Sequence, residues 1–423
     1  MEGSGLPSAR FPNILPPRRQ PPHPREPSRP LPTSLYCYAW DLAGEPGRAN
    51  LARIAELGLG GISLATSYHA GKFLRPAASD AKVVFPEDGT IYFRPRAQYG
   101  RVKPLVARVT DQQDVLAELT RRRDLEVRGW MVLLHNSRLG FLHPDLVVRN
   151  AWDDPLYYSL CPAQPEVQAY AVTLCADLCA HYDVAGLALE TPGFLPFAHG
   201  YHHEFALMPG NLWMGLLLGL CFCPACTAQA KEAGIAVTAL QGRVREAVHD
   251  YQRSAATVPD DMAAHWLIAD LAFDPELGAF LRWRCRVVAS LVAAIRSAVD
   301  RRFSLRVIPS IRRPSAAGWE EGSDLALLGR AADELSICFY EPDPGRVLAD
   351  LVDCRRRAGA AASLGAILRP GHPDIGSEQQ LLATIAALGA HGIRDFSFYN
   401  FGHLRPHNHA WLAAASAAIA RLP

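Results

Sequence analysis

Short apolar runs alternate along the chain with longer amphipathic stretches. Residues 34–42 (SLYCYAWDL), 61–68 (GISLATSY), 130–134, 184–190, 303–310, 335–340, 363–368 and 395–398 are rich in apolar, β-branched and aromatic side chains. Runs of this kind suit strands buried on both faces, as in a parallel sheet. Helical spacing fills the intervals. From Pro46, residues Leu51, Ile54, Leu57 and Leu59 fall on roughly one face, closed by Gly58 and Gly60. A second helix is predicted over DQQDVLAELTRRR with Asp111 as its cap, and a third over residues 165–182. Residues 260–302 read as a long helical region broken near Pro275, and residues 410–422 as the closing helix.

Eight strands, each followed by a helix, are the count of a (β/α)8 barrel. The fold class predicted is therefore α/β, a TIM barrel with long βα-loop insertions after strands 2 and 4. The first insertion, residues 70–110, contains KVVFPEDGTIYFRP, read as a hairpin about its EDG turn. The second is helical, spans about residues 191–300, and contains AHGYHHE and LCFCPAC. An open doubly wound sheet is the alternative, but no glycine-rich phosphate fingerprint follows the first strand. Residues 1–33, rich in Pro and Arg and poor in core-forming side chains, read as a disordered tail, and residues 34–423 as the barrel domain.

Composition narrows the partners. Of 423 residues, 49% are hydrophobic and 20% charged, with a net charge of +1, so no basic footprint for nucleic acid is present. No apolar run is long enough for a membrane span, and no secretory leader precedes the first strand. With ten cysteines and no export signal, a reducing cytoplasm is the expected compartment. Nothing in the sequence sets the oligomeric state, a homo-oligomer included.

In a barrel of this kind the active site gathers at the C-terminal strand ends. Those ends carry Trp40 and Asp41, Tyr68 and His69, His135 and Asn136, Glu190, Ser310 and Arg312, Tyr340 and Glu341, Arg369, and Tyr399 and Asn400. Two carboxylates, Glu190 on strand four and Glu341 on strand six, stand among aromatics and amides. Aromatic faces stack on sugar rings, and Asn, His and Arg hydrogen-bond hydroxyls. A carboxyl pair across the mouth is what glycosidic cleavage needs, one as acid and the other as nucleophile or base. Glu190, ending an apolar strand before Thr-Pro-Gly-Phe, suits the acid; Glu341 suits the partner, with Asp41 in reserve. The competing reading for each acid is an ion pair with a nearby arginine such as Arg312 or Arg369.

The layout resembles the glycoside-hydrolase-like (β/α)8 barrels. LALE at strand four, CFYEP at strand six, FYNFG at strand eight and LCFCPAC after strand four carry that resemblance. Tyr340 and Glu341 are similar to the Tyr-acid pair of chitinase-like barrels, although the spaced aspartates of their strand four are missing here. Acids on strands four and six are also similar to alpha-galactosidase-type barrels, which use aspartates. Arg369 stands where the commonest retaining clan has its strand-seven glutamate. The resemblance implies a carbohydrate or glycoside substrate and no cofactor required for catalysis.

Cys221, Cys223 and Cys226 form a Cys-x-Cys-x-x-Cys run. They are either reduced thiols at a helix start or three corners of a structural zinc site, with Cys161, Cys175 or a histidine as the fourth. The segment resembles cysteine-rich pieces in glycosidase-like barrels, and a zinc-bound cysteine cluster occurs in family 42 beta-galactosidases. His202 and His203, in HGYHHE, are read as substrate contacts from the loop, since they lack the spacing of a HExxH metal site. The function this supports is a glycoside hydrolase. The alternatives are a sugar lyase or isomerase using His69 or His135 as base, and a carbohydrate-binding barrel without catalysis.

Overall fold

The computed structural model describes residues 33–198, 201 and 204–422. The eight expected strands are β1 (Thr33–Cys37), β2 (Gly61–Tyr68), β3 (Glu126–Val132), β4 (Gly186–Glu190), β5 (Ser304–Val307), β6 (Glu334–Cys338), β7 (Leu364–Leu368) and β8 (Phe396–Phe398). Each pairs with its neighbours in parallel, and β8 pairs back to β1, so the ring closes. Eight helices follow them: α1 (Gly44–Glu56), α2 (Val115–Thr120), α3 (Pro165–His181), α4 (Pro275–Ala298), α5 (Leu325–Ala331), α6 (Pro344–Ala358), α7 (Glu378–Ala390) and α8 (Pro406–Ile419). This is a (β/α)8 barrel.

Local chemistry sets the helix starts. Asp274 accepts from the Glu276 and Leu277 amides, with Pro275 in the first turn of α4. That cap breaks the long helical region where Pro275 predicted, leaving Asp260–Phe273 as a separate helix before it. Asp343 and Ser377 cap α6 and α7 in the same way. The insertion after β4 adds four helices, Leu212–Gly219, Pro224–Glu232, Val237–Arg253 and Asp260–Phe273. Among the described residues no single helix is long and apolar enough to cross a membrane.

Three local expectations are corrected. The first apolar run stops being strand at Cys37, and Ala39–Leu42 turns into a helical turn. The helix expected from Asp111 is two, Arg108–Gln112 and α2. Gln113 between them is extended, and the Asp114 side chain caps α2 by accepting from the Ala117 amide. The EDG hairpin does not form. Val83–Val84 pairs instead with Phe73–Leu74, while Thr90–Ile91 lies antiparallel to the end of β2. Gly89 in this turn has φ +60°, and a Cβ there would lie 2.0 Å from the Asn136 side chain, so the turn packs closely on the loop that follows β3.

The floor of the barrel, at the N-terminal strand ends, is an ionic plug. Arg306 on β5 donates two hydrogen bonds to Asp395, both at 2.6 Å, and lies 3.1 Å from Glu334. Ser34 on β1 bonds to Ser397 at 2.8 Å and to Ser63 at 3.2 Å beside it. Above this layer the interior turns aromatic.

Candidate active site

Glu190 is the last residue of β4, and both neighbouring strands hold its backbone. The Leu133 amide donates to its carbonyl at 3.0 Å, and the Ile308 amide to that of Leu189 at 2.8 Å. Its carboxylate accepts a hydrogen bond from Trp130 Nε1 at 2.6 Å. Trp130, on β3, is itself buried edge-on against Tyr36 and Tyr68 at centroid distances of 5.0 and 5.1 Å. Burial pushes the Glu190 carboxyl up from 4.5 to about 7, outweighing the indole bond that favours its charged form.

An aromatic layer closes the mouth around it. Tyr38 donates to the Tyr68 hydroxyl and shares a hydrogen bond with that of Tyr399, each at 3.0 Å, and lies 3.3 Å from His403 Nε2. Trp40 stacks on Tyr38 at 4.2 Å, His69 on His135 at 4.0 Å, and the Arg369 guanidinium lies 4.4 Å over the Tyr340 ring. Tyr340 in turn meets Tyr399. Trp40, Tyr68, His69, His135, Tyr340, Arg369 and Tyr399 are thus gathered as expected. Trp130, Tyr36 and Tyr38 belong to the same layer; their side chains come from within apolar runs, where only exact strand ends would have distinguished interior from lining.

Other expected contacts are occupied by the fold. Asn136 caps the helix Ser137–Leu142, accepting from the Leu139 amide at 2.9 Å. Asn400 is fully buried and accepts from the Gly402 amide at 3.1 Å. Asp41 accepts from Arg75 Nε at 2.8 Å; burial raises its carboxyl to about 6 against the pull of that guanidinium. Arg312 is paired with Glu320. Glu341 is buried and accepts from Arg346 Nε of α6 at 2.6 Å, so it faces that helix while Tyr340 beside it faces the aromatic layer. His202 and His203 lie outside the described residues.

A second carboxyl stands near Glu190. Glu321 ends the 3-10 helix Ser315–Glu321, in the loop after β5, and accepts from Ser310 Oγ at 2.5 Å. Together with Glu190, Thr191, Ser310, Ile308 and Leu195 it lines a cavity of about 10 Å³, room for about one water. Burial and the neighbouring Glu190 and Glu320 charges raise its carboxyl from 4.5 to about 7. Thr191 has φ +51°, and its buried Oγ1 has no hydrogen-bond partner among the described residues. The two loops are clamped together: the Phe194 amide donates to the Glu321 carbonyl at 2.9 Å, and a Cβ on Gly193 would lie 2.2 Å from that oxygen. Reading strand ends could not find Glu321, which lies well beyond the end of β5. Its only signal is an acid pair before glycine in WEEG.

The cysteines form a separate centre. Cys161 lies 3.4 Å from Cys226, 3.7 Å from Cys223 and 3.8 Å from Cys221, sulfur to sulfur, and all four thiols are buried. The four sulfurs lie within 4.8 Å of one another. A tetrahedral zinc with Zn–S bonds of about 2.3 Å needs sulfurs about 3.8 Å apart. The Arg149 amide at 3.4 Å from Cys221 Sγ and the Cys226 amide at 3.5 Å from Cys223 Sγ are donors suited to thiolates. Cys161 is therefore the fourth member; Cys175 packs instead on Met131. With four sulfurs and no open position, such a site is structural. It joins the insertion after β4 to the loop after β3.

No family model matches the chain, and no curated protein matches it in sequence. Solved structures share its fold. The PgaB (BpsB) glycoside hydrolase domain from Bordetella bronchiseptica superposes with a TM-score of 0.55 at 14% identity, covering 92% of this chain and 99% of that one. A beta-galactosidase from Bacillus circulans sp. alkalophilus has a TM-score of 0.53 at 10% identity, covering 92% and 55%. Alpha-L-fucosidase isoenzyme 2 from Paenibacillus thiaminolyticus has a TM-score of 0.51 at 14% identity, covering 92% and 49%, so this chain spans about half the length of the last two. The chain is a (β/α)8 barrel, a fold it shares with these glycoside hydrolase structures.

Proposed function

We propose that this barrel hydrolyses a glycosidic bond, with Glu190 as the proton donor to the leaving oxygen. The supporting observation is one half-buried carboxyl at the C-terminal end of β4, set beside aromatic rings, with its proton affinity lifted to about 7. A group poised there holds its proton in part of the population at neutral pH and can deliver it to a developing alkoxide. Trp40 and Tyr399, the half-buried tryptophan and tyrosine of the aromatic layer, are the ones a sugar ring could reach. Cleavage also needs a group that delivers water or attacks the anomeric carbon. Glu341 would serve only by releasing Arg346.

Purified protein is screened against aryl glycosides and oligosaccharides, and Glu190→Gln is compared with the parent on any substrate that turns over. A loss of about 10²–10⁴-fold is expected. Near-parental turnover in the variant contradicts the assignment.

The pairing of Glu341 with Arg346 favours a second reading, a barrel that binds carbohydrate without cleaving it. Saturable oligosaccharide binding without turnover of any substrate would support that reading instead.

We also infer that Cys161, Cys221, Cys223 and Cys226 hold one structural zinc. Metal analysis should find one zinc per chain, lost in Cys161→Ser. A chain purified without metal, yet fully stable, contradicts this.

A further inference from the structure

We propose that Glu321 is the second carboxyl group of the site, placed across the cavity from Glu190 to take a proton from the attacking water. The chemistry of this assignment rests on the glycosidase reading; its geometry does not.

The placement follows from four observations. Glu190 and Glu321 line one cavity with room for about one water. That cavity is polar on the side of Ser310, which donates to Glu321, and of Thr191, whose buried hydroxyl has no partner among the described residues. The backbone clamp between Phe194 and Glu321, with no space for a side chain at Gly193, fixes the loop of one acid to the loop of the other. Successive acids also divide their tasks: Glu320 pairs with Arg312, leaving Glu321 to face inward. Glu341, by contrast, faces α6.

Around the two carboxyls stand Trp130 from β3, Cys338 from β6, Tyr36 from β1, Tyr68 from β2, Tyr399 after β8 and Arg312 after β5. Beside them stands Glu320, whose charge also raises Glu321; Arg312 is the one cation of this set, and it is paired with Glu320. A charge on Glu190 raises the proton affinity of Glu321, so the two titrations are linked. Cleavage by this pair requires Glu190 protonated and Glu321 charged.

The step balances as follows. Glu190 gives its proton to the glycosidic oxygen as the bond from the anomeric carbon to that oxygen breaks, and the bonding electron pair stays with the leaving oxygen. Water forms the new bond to the anomeric carbon and loses one proton to the Glu321 carboxylate. Return of a proton from Glu321 to Glu190, directly or through solvent, restores the starting state.

The test is a carbon-13 NMR titration of glutamate-labelled full-length protein, with the Glu190 and Glu321 signals assigned from their glutamine variants. In Glu321→Gln the Glu190 midpoint should fall by about one pH unit or more. An unmoved midpoint overturns the pairing. On a glycoside that the parent cleaves, Glu321→Gln should lose about 10²–10⁴-fold in turnover and one limb of the pH–rate profile. A larger loss in Glu341→Gln than in Glu321→Gln returns the role to Glu341. If no glycoside is cleaved while the titrations remain coupled, the glycosidase reading falls and the paired site stands. If glycosides are cleaved and Glu321→Gln matches the parent, the pairing falls and that reading stands. Should the glutamine variant not fold, Glu321→Asp, which keeps the charge but withdraws it from the cavity, should move the same Glu190 midpoint.

Discussion

Glu190 and Glu321 each occupy a site that favours the neutral acid, and this has a consequence for stability. Between 4.5, where a glutamate ordinarily titrates, and about 7, the folded protein binds more protons at these positions than the unfolded chain does. Their contribution to stability therefore falls as pH rises through that window and levels off above it. Denaturant unfolding of Glu190→Gln should show a shallower decline over the same window than the parent; parallel curves would mean that burial does not hold the proton there. Gly193→Ala is a sharper residue-scale test. Its Cβ would lie 2.2 Å from the Glu321 carbonyl, so the loops must part. The expected cost is about 1–3 kcal/mol, read by urea denaturation, together with loss of the coupled titration of the two acids. Glu190 was legible in the sequence because an apolar strand ends on it. Glu321 was not, because a loop brings it to the cavity and no periodicity records where a loop folds back.

At the scale of elements, strands and helices were legible where side-chain pattern and capping chemistry agreed. Asp274 with Pro275, and the apolar run ending at Glu190, are such places. Pattern failed where tertiary contacts overrode local preference. Thr90–Ile91 looks like half of a hairpin, yet it lies antiparallel to the end of β2, with Gly89 seated against Asn136. The insertion after β4 is legible only as helical. What fastens it is the cysteine cluster, whose fourth member, Cys161, lies on the loop after β3 far away in sequence. Arg284 of α4 links that insertion to the acid loop: its guanidinium lies 4.4 Å over the Phe194 ring and donates to the Glu320 carbonyl at 3.0 Å. On the zinc assignment proposed above, a chelator should therefore lower the melting temperature and expose thiols to alkylation. Cys175→Ser should keep its zinc, since that thiol packs on Met131. Unchanged melting after complete removal of metal would separate the cluster from stability.

For the whole molecule, the closed ring sorts its interior by height, ions at the floor and aromatics at the mouth. Its existence was legible from eight apolar runs, since parallel strands covered on both faces leave that signature. The contents of the floor were not, because Arg306 lies within β5, Glu334 opens β6 and Asp395 precedes β8, and they meet only once the barrel closes. Asp395→Ala removes one partner of a buried guanidinium. It should cost about 3–5 kcal/mol in a denaturation experiment without altering the titration of Glu190; a loss under about 1 kcal/mol would mean that Glu334 alone compensates Arg306. The central claim, that the acid at the end of β4 protonates a leaving sugar oxygen, is tested most directly by leaving-group dependence. Parent and Glu190→Gln are assayed on one glycoside carrying either a nitrophenolate or a simple alcohol as leaving group. The account predicts a severe loss for the alcohol and a much smaller one for the nitrophenolate, which departs without a proton; equal losses on both would contradict it.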